Sequence, residues 1–377
     1  MKRGNMRIQK KLLLFRMFIV LCLFLSVNTH EKFIQTAVNR ISGNHSFSLF
    51  NYHVKYLPNK AWNLITRINS DTNYETFVIT NYFTSRESLD ENIKKQRLAA
   101  EIKLKSIIEY ELVNQNLGIR DSETLFPPLF VNLKSPPQLL VVSPRDNIKI
   151  IAKRLINPIY DISEIESLER LIEKETSASV LIVNLGGIAT YPPLIADNES
   201  LIFTMETIAH EWFHHYWFFK PLGFNYFKSP EMTILNETAA EIVGSEIAKL
   251  AYDKLEIKQD SNIIKASAKT KFNFNDEMRA TRTELDKLLK QNEINKAELY
   301  LENRTLAFQE SGFNIRKLNQ AYFAFYGTYG QNPASSTTIT DELQLLRKKS
   351  KNLADFINTV SRFGNYNDFL SHITTIR

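Results

Sequence analysis

Apolar and polar positions along this chain repeat with helical spacing over most of its length and with strand character only in a short central stretch. From Ser88 to Asn116, SLDENIKKQRLAAEIKLKSIIEYELVNQN carries apolar residues every three to four positions, the period of an amphipathic helix. Ser88 stands at the N-cap position and Glu91 at the capping-box position. Residues 29–84 are less regular, and YETFVITNYF at 74–83 fits a strand or a buried helix equally. QLLVV and SVLIV are short β-branched runs bounded by Pro, Ser and Gly, the pattern of strands, with a helix predicted between them at 162–175. Beyond Asn198 the periodicity is helical almost to the end. It predicts helices near 200–219, 230–255, 274–309 (with a break near Asn292), 313–327, 339–348 and 351–361. The fold class is therefore α+β, a small sheet followed by a mainly helical region.

The first residues follow a different pattern. Six basic side chains lie within the first sixteen positions, with no acid among them, and an uninterrupted apolar run follows from Met17 to Val27. That is the layout of a signal peptide, or of a short anchor in which Arg16 snorkels to the headgroups. The organisation expected is a targeting or anchoring segment at 1–28, a mainly helical region at 29–120 and a domain at 121–377 with a helical C-terminal part. Positive residues before the apolar run would place the body outside the cytoplasm, either anchored in the membrane or secreted. The net charge of +6 is concentrated in that segment and leaves a nearly neutral body. With no basic stripe interleaved with aromatics, a nucleic-acid partner is not expected. The single cysteine, Cys22, lies in the apolar run, so the body has no disulfide and no thiolate metal site.

The chemistry is concentrated in TIAHEWFHHYWFF, residues 207–219. His210 and His214 are four apart, so on a helix both imidazoles face one way and can meet one cation. Glu211 lies beside them, placed to reach a water without ligating the ion, which is the H-E-x-x-H arrangement of metallopeptidases. His215 is about 100° further round the helix and should not share that ion. A catalytic zinc keeps three protein ligands, and a third is available downstream. Ser229 and Pro230 form a helix start, and the helix they open carries Glu237 and Glu241 on one face with Gly244 and Ala248.

HEWFH followed by NETAAEIVG resembles the gluzincin signature of thermolysin-like and aminopeptidase-like zinc peptidases, over roughly residues 204–248. A similar His-Glu-Trp/Val-x-His-His segment also occurs in uncharacterised bacterial membrane-associated proteins. The gluzincin resemblance implies a zincin-like fold, Zn2+ as cofactor, a peptide or protein substrate, His210, His214 and Glu237 as ligands, and Glu211 as general base. It implies Glu241, together with Asn236 next to Glu237, as groups that orient the ligands. Two departures stand out. An Asp is commoner where Glu241 stands, which keeps Glu241 open as an alternative third ligand. The 22 residues between His214 and Glu237 also exceed the family spacing slightly.

Tyr326 and Tyr329, flanking Gly327 near a helix end, are candidates to stabilise an oxyanion or touch substrate; aromatic core packing is the competing account. Gluzincins hold extended substrate along an edge strand before the metal helix. Val180–Leu185 is the candidate edge, with Gly186 and Gly187 allowing close backbone approach, or else forming a plain turn. Two other classes compete with a peptidase. A non-catalytic metal-binding or interaction protein would have no use for Glu211. A di-iron carboxylate bundle needs a second Glu-x-x-His on a facing helix, and the chain has none.

Overall fold

A computed structural model describes residues 31–55, 72–85, 92–117, 125–255 and 272–377. The targeting or anchoring segment at 1–28 and the Ser88–Glu91 helix start lie outside the described residues. Among these residues, no helix is long and apolar enough to cross a membrane.

The chain is a mixed α+β structure with mostly helical content. It begins with helices at 31–41 (α1) and 49–55 (α2), followed by α3 (Thr72–Ser85) and α4 (Asn92–Asn114). The ambiguous run at 74–83 is thus helical. The sheet is built from β1 (Gln138–Ser143), β2 (Ala152–Ile156) and β3 (Ser179–Val183), with α5 (Ile162–Thr176) between the last two. β1 is central and antiparallel to both neighbours, so that Val141 pairs with Lys153 on one side and Leu181 on the other. The two faces of the sheet are covered separately. Leu140, Val142, Val180 and Ile182 pack on α5 and on Ile34 and Val38 of α1. Val141, Leu181 and Val183 pack on Ala321 and Phe325 of α11 (Gln320–Tyr326).

Both outer edges of this sheet are closed. Along β2, Ser46 bridges to Ile156, and the Phe47 N–H donates to the Leu155 carbonyl at 3.1 Å. Along β3 the closure is made by side chains. Glu173 and Glu169 accept from the N–H groups of Val180 and Ile182 at 3.3 and 2.8 Å. Asn319 and Lys317 donate to the Val180 carbonyl at 2.9 and 3.2 Å, and Arg316 to that of Ile182 at 3.4 Å. The β3 stretch of the Val180–Leu185 candidate is thus occupied along its outer edge. A separate two-stranded ribbon, β4 (Gly187–Ile188) with β5 (Leu194–Ile195), follows it and lies against the next helix.

That helix is α6 (Leu201–Phe218). After the single turn α7 (Pro221–Phe224), α8 (Pro230–Asp253) folds back along it. Each start has a side-chain cap: Ser200 accepts from the Phe203 N–H, and Ser229 accepts from the Met232 N–H, with Pro230 at the first helical position. α6 and α8 form the most extensive pairing of elements in the molecule, and their apolar faces join α3, α4 and the C-terminal helices in the largest core. α9 (Phe274–Lys290) and α10 (Ile294–Glu310) follow as a pair. The expected break falls at Asn292, whose φ of 57° ends the first helix. α12 (Ile339–Lys349), α13 (Leu353–Val360) and α14 (Tyr366–Ile376) complete the chain.

Three expectations differ from the structure. Residues 313–319 are not helical, because Arg316, Lys317 and Asn319 turn away to close the edge of β3, and Asn319 caps α11. β2 was not expected; its AKRLI sequence hides a strand whose outer edge is covered only by residues 45–47. α14 also lies beyond the last helix expected.

Candidate metal centre

The helical hairpin α6–α8 brings three ligand atoms together. His210 Nε2 and His214 Nε2 are 3.0 Å apart. Glu237 Oε2, from α8, lies 3.2 Å from the first and 3.5 Å from the second. Among the described residues this is the one group of three or more such side chains whose ligand atoms converge. Gly244 sets how closely the helices approach: a Cβ there would stand 3.1 Å from the Glu206 carbonyl oxygen and 3.2 Å from the His210 nitrogen. A larger residue would push α8, and with it Glu237, away from the histidines.

The protonation of the site follows from its neighbours. The Asn236 amide nitrogen donates to the Leu222 carbonyl at 3.4 Å, which turns its Oδ1 towards His214 Nδ1, 2.9 Å away. An amide oxygen only accepts, so His214 Nδ1 carries the proton. In the neutral ring Nε2 then presents a lone pair to the cluster. Glu237 Oε2 is buried with no hydrogen-bond donor. Two imidazole nitrogens and a carboxylate oxygen therefore converge, and the lone pairs of His214 Nε2 and Glu237 Oε2 face one place, which is unfavourable unless a proton or a cation stands there. Where a proton stands in, burial disfavours the charged His214 ring, but the Glu237 charge outweighs this and raises the group to about 9. Burial likewise disfavours the Glu237 carboxylate, and the facing imidazoles more than compensate, holding it well below the usual carboxylate range. Two imidazoles and one carboxylate are a donor set that suits zinc. The residues present fit the ion.

Glu211 is buried beside this cluster, and desolvation raises its carboxyl against the pull of His210 and His214. The chain backbone runs directly over it. A Cβ on Gly187 of β4 would lie 2.6 Å from Glu211 Oε1, and one on Gly186 would lie 3.2 Å from the Phe203 ring. Glycine at 187 is thus a steric requirement of the site. The strand that lies against the base is β4, rather than β3.

The remaining candidates divide. Tyr329 reaches the site: its ring centroid is 6.4 Å from that of His210. Burial, followed by the charges of Glu237, Glu211 and Glu241, keeps its phenol protonated. Tyr326 sits behind it, 4.5 Å from the ring of Tyr322, between the sheet and the α9–α10 pair. Glu241 accepts from the Gln331 N–H at 3.3 Å, and burial raises it to about 7 against the pull of His210. Its carboxylate thereby ties the Tyr329–Gln331 loop to α8, and the Gly330 N–H donates to Thr238 Oγ1 at 3.0 Å on the same helix. His215 turns to the other side, edge-on to Tyr191 at 5.2 Å, where burial lowers it to about 4.

Sequence reasoning missed Tyr226. Its hydroxyl donates to Glu237 Oε1, leaving Oε2 for the cluster. Thr233 donates to the Tyr226 carbonyl at 2.8 Å and fixes the loop. The only signal was its place in the turn that must bring α8 back onto α6.

His210, His214 and Glu237 form a cluster whose ligand atoms could hold a metal ion, with the Glu211 carboxyl adjacent. No protein-family model, curated protein or solved structure matches the chain.

Proposed function

We propose that the protein is a zinc-dependent metallopeptidase with a zincin-like catalytic unit, acting on peptide or protein substrates outside the cytoplasm. Its N-terminal segment would anchor it in the membrane or direct its secretion. The observation that carries this reading is the meeting of His210 Nε2, His214 Nε2 and Glu237 Oε2 in one buried place beside Glu211. Those three side chains would hold the ion. When bound, zinc supplies Lewis acidity towards a substrate carbonyl and lowers the pKa of water to near neutrality.

The chain's own groups supply the rest. Glu211 accepts a proton at its carboxylate and returns it to the leaving amine, and a pKa raised by burial suits a group that must do both near neutral pH. Asn236 holds His214 in the tautomer that leaves Nε2 free, and Tyr226 holds the second oxygen of Glu237. Tyr329, protonated and facing His210, is the donor placed to stabilise an oxyanion. Gly187 lets the β4 backbone lie directly over the base, where a Cβ would stand 2.6 Å from Glu211 Oε1. Trp212 and Trp217 are buried with their indole N–H groups donating to Pro127 and Ser361, and form a dry wall behind the ligands.

The test is metal analysis of the purified protein with Glu211→Gln assayed on a peptide library. We expect stoichiometric zinc in both forms and hydrolysis only in the unmodified chain. Hydrolysis that survives Glu211→Gln sinks the mechanism, and absence of bound zinc sinks the site.

A further inference from the structure

The tip of the α6–α8 hairpin carries a surface that the metal centre does not use. In YWFFKPLGFNYFK, residues 216–228, Phe218, Phe219, Phe224 and Phe227 are 65, 60, 82 and 81 % exposed. Lys220 and Lys228, both exposed, lie between and beside them, and no acid falls in the stretch. Exposed phenylalanines scattered singly are ordinary, but four on one protruding turn make a patch that a protein in water does not keep without a partner. The elements around it add cations. The Ser361 carbonyl accepts from the Leu222 N–H at 3.3 Å, which brings exposed Arg362 alongside. Lys153 of β2 places its Nζ 5.4 Å from the centre of the Phe227 ring.

We propose that this tip docks on an anionic lipid surface, with the phenylalanines entering the headgroup–acyl boundary and the lysines meeting lipid phosphates and carboxylates. The composition favours lipid over a protein partner. Lysine is depleted in protein–protein interfaces, whereas phenylalanine interleaved with lysine is what interfacial binding takes. The path of the chain agrees. The basic-then-apolar residues 1–30 lead into Glu31, which is paired with Lys149 at 3.5 Å, and Lys153, four residues further along, lies over Phe227. An N-terminal anchor would thus join the described fold at Glu31, beside the β1–β2 connection that leads to Lys153 and Phe227. Tyr226, between Phe224 and Phe227, is bonded to Glu237, so docking brings the metal centre near the lipid surface. The docking does not depend on the peptidase reading, and either can fail while the other stands.

The test uses the full chain mixed with vesicles whose acyl chains are brominated. A tryptophan is placed at the tip (Phe224→Trp) or far from it on α10 (Leu299→Trp), each read against the unmodified chain. With vesicles containing phosphatidylserine, we expect quenching at the tip and none at position 299. Lys220→Gln with Lys228→Gln should cut the tip's inserted population by roughly ten-fold or more, and circular dichroism should show the fold unchanged. Equal quenching at both positions, or none at the tip, overturns the proposal. So does a lipid-free dimer that Phe224→Ser with Phe227→Ser dissolves, since the patch is then a contact between copies.

Discussion

Asn236 and Tyr226 each fix one member of the cluster from its far side, through His214 Nδ1 and Glu237 Oε1. Asn236→Ala removes the acceptor of His214 Nδ1–H, so the ring can flip its tautomer and turn. Zinc affinity should fall by about ten- to a hundred-fold, measured by competition with a chelating dye. Tyr226→Phe leaves Glu237 Oε1 buried without its charge-assisted donor, and about a ten-fold loss is expected in the same titration. A loss in the first variant and none in the second would mean that Glu237 is held by packing alone. A separate group gives a pH signature away from the metal. Glu101 accepts from the Leu133 N–H at 2.8 Å, but burial dominates and raises its carboxyl to about 7. A carboxyl raised in the fold is protonated there while still ionised in the unfolded chain. Its contribution is full below its ordinary pKa near 4.5 and is lost as the pH rises through about 7. Glu101→Gln keeps the acceptor and removes the titration. It should therefore raise the melting temperature at pH 8, by an effect worth up to about 3 kcal/mol, and change little at pH 4.5.

Between elements, the approach of α8 to α6 decides whether Glu237 reaches the histidines. Gly244→Val would add bulk where even a single added Cβ would sit 3.1–3.4 Å from backbone atoms. The expected cost is about 1–3 kcal/mol of stability, together with a clear loss of zinc binding. Unchanged binding with lowered stability would show that the hairpin has slack. The same pair of helices explains what the sequence could reveal of the site. His210, Glu211 and His214 share one helix, and their relation is fixed by its pitch alone. Glu237 follows from a second local pattern, a Ser-Pro start and a small-residue face. Gly187 above Glu211 and Tyr226 on Glu237 depend on how a ribbon and a turn are placed in three dimensions, and no spacing in the chain encodes that. For the same reason residues 313–319 passed for a helix: their polar residues face a strand more than 130 positions earlier.

Across the whole molecule, the division between a small sheet and a helical bulk was legible because strands and helices differ in period. The strand order was not, since β2 is too polar to declare itself. The closure of β3 belongs to this largest scale, because α5, the sheet and the segment before α11 all contribute to it. At its centre Glu169 is 1 % exposed and bound to Arg316 at 2.5 and 2.9 Å and to Lys317 at 3.4 Å. Removing one partner of such a buried pair costs about 3–5 kcal/mol, so Glu169→Ala should lower the melting temperature markedly. It would also leave the Ile182 N–H without its acceptor, and Arg316, which meets the Ile182 carbonyl, without its anion. A strand with bare backbone groups is a template for another chain. Ser179–Val183, the run SVLIV, is apolar, β-branched and uncharged, the kind of segment that stacks into fibrils once uncovered. Seen this way, the charged side chains along β3 are a guard against aggregation. The Glu169→Ala protein should form thioflavin-positive aggregates at temperatures where the intact chain stays dispersed.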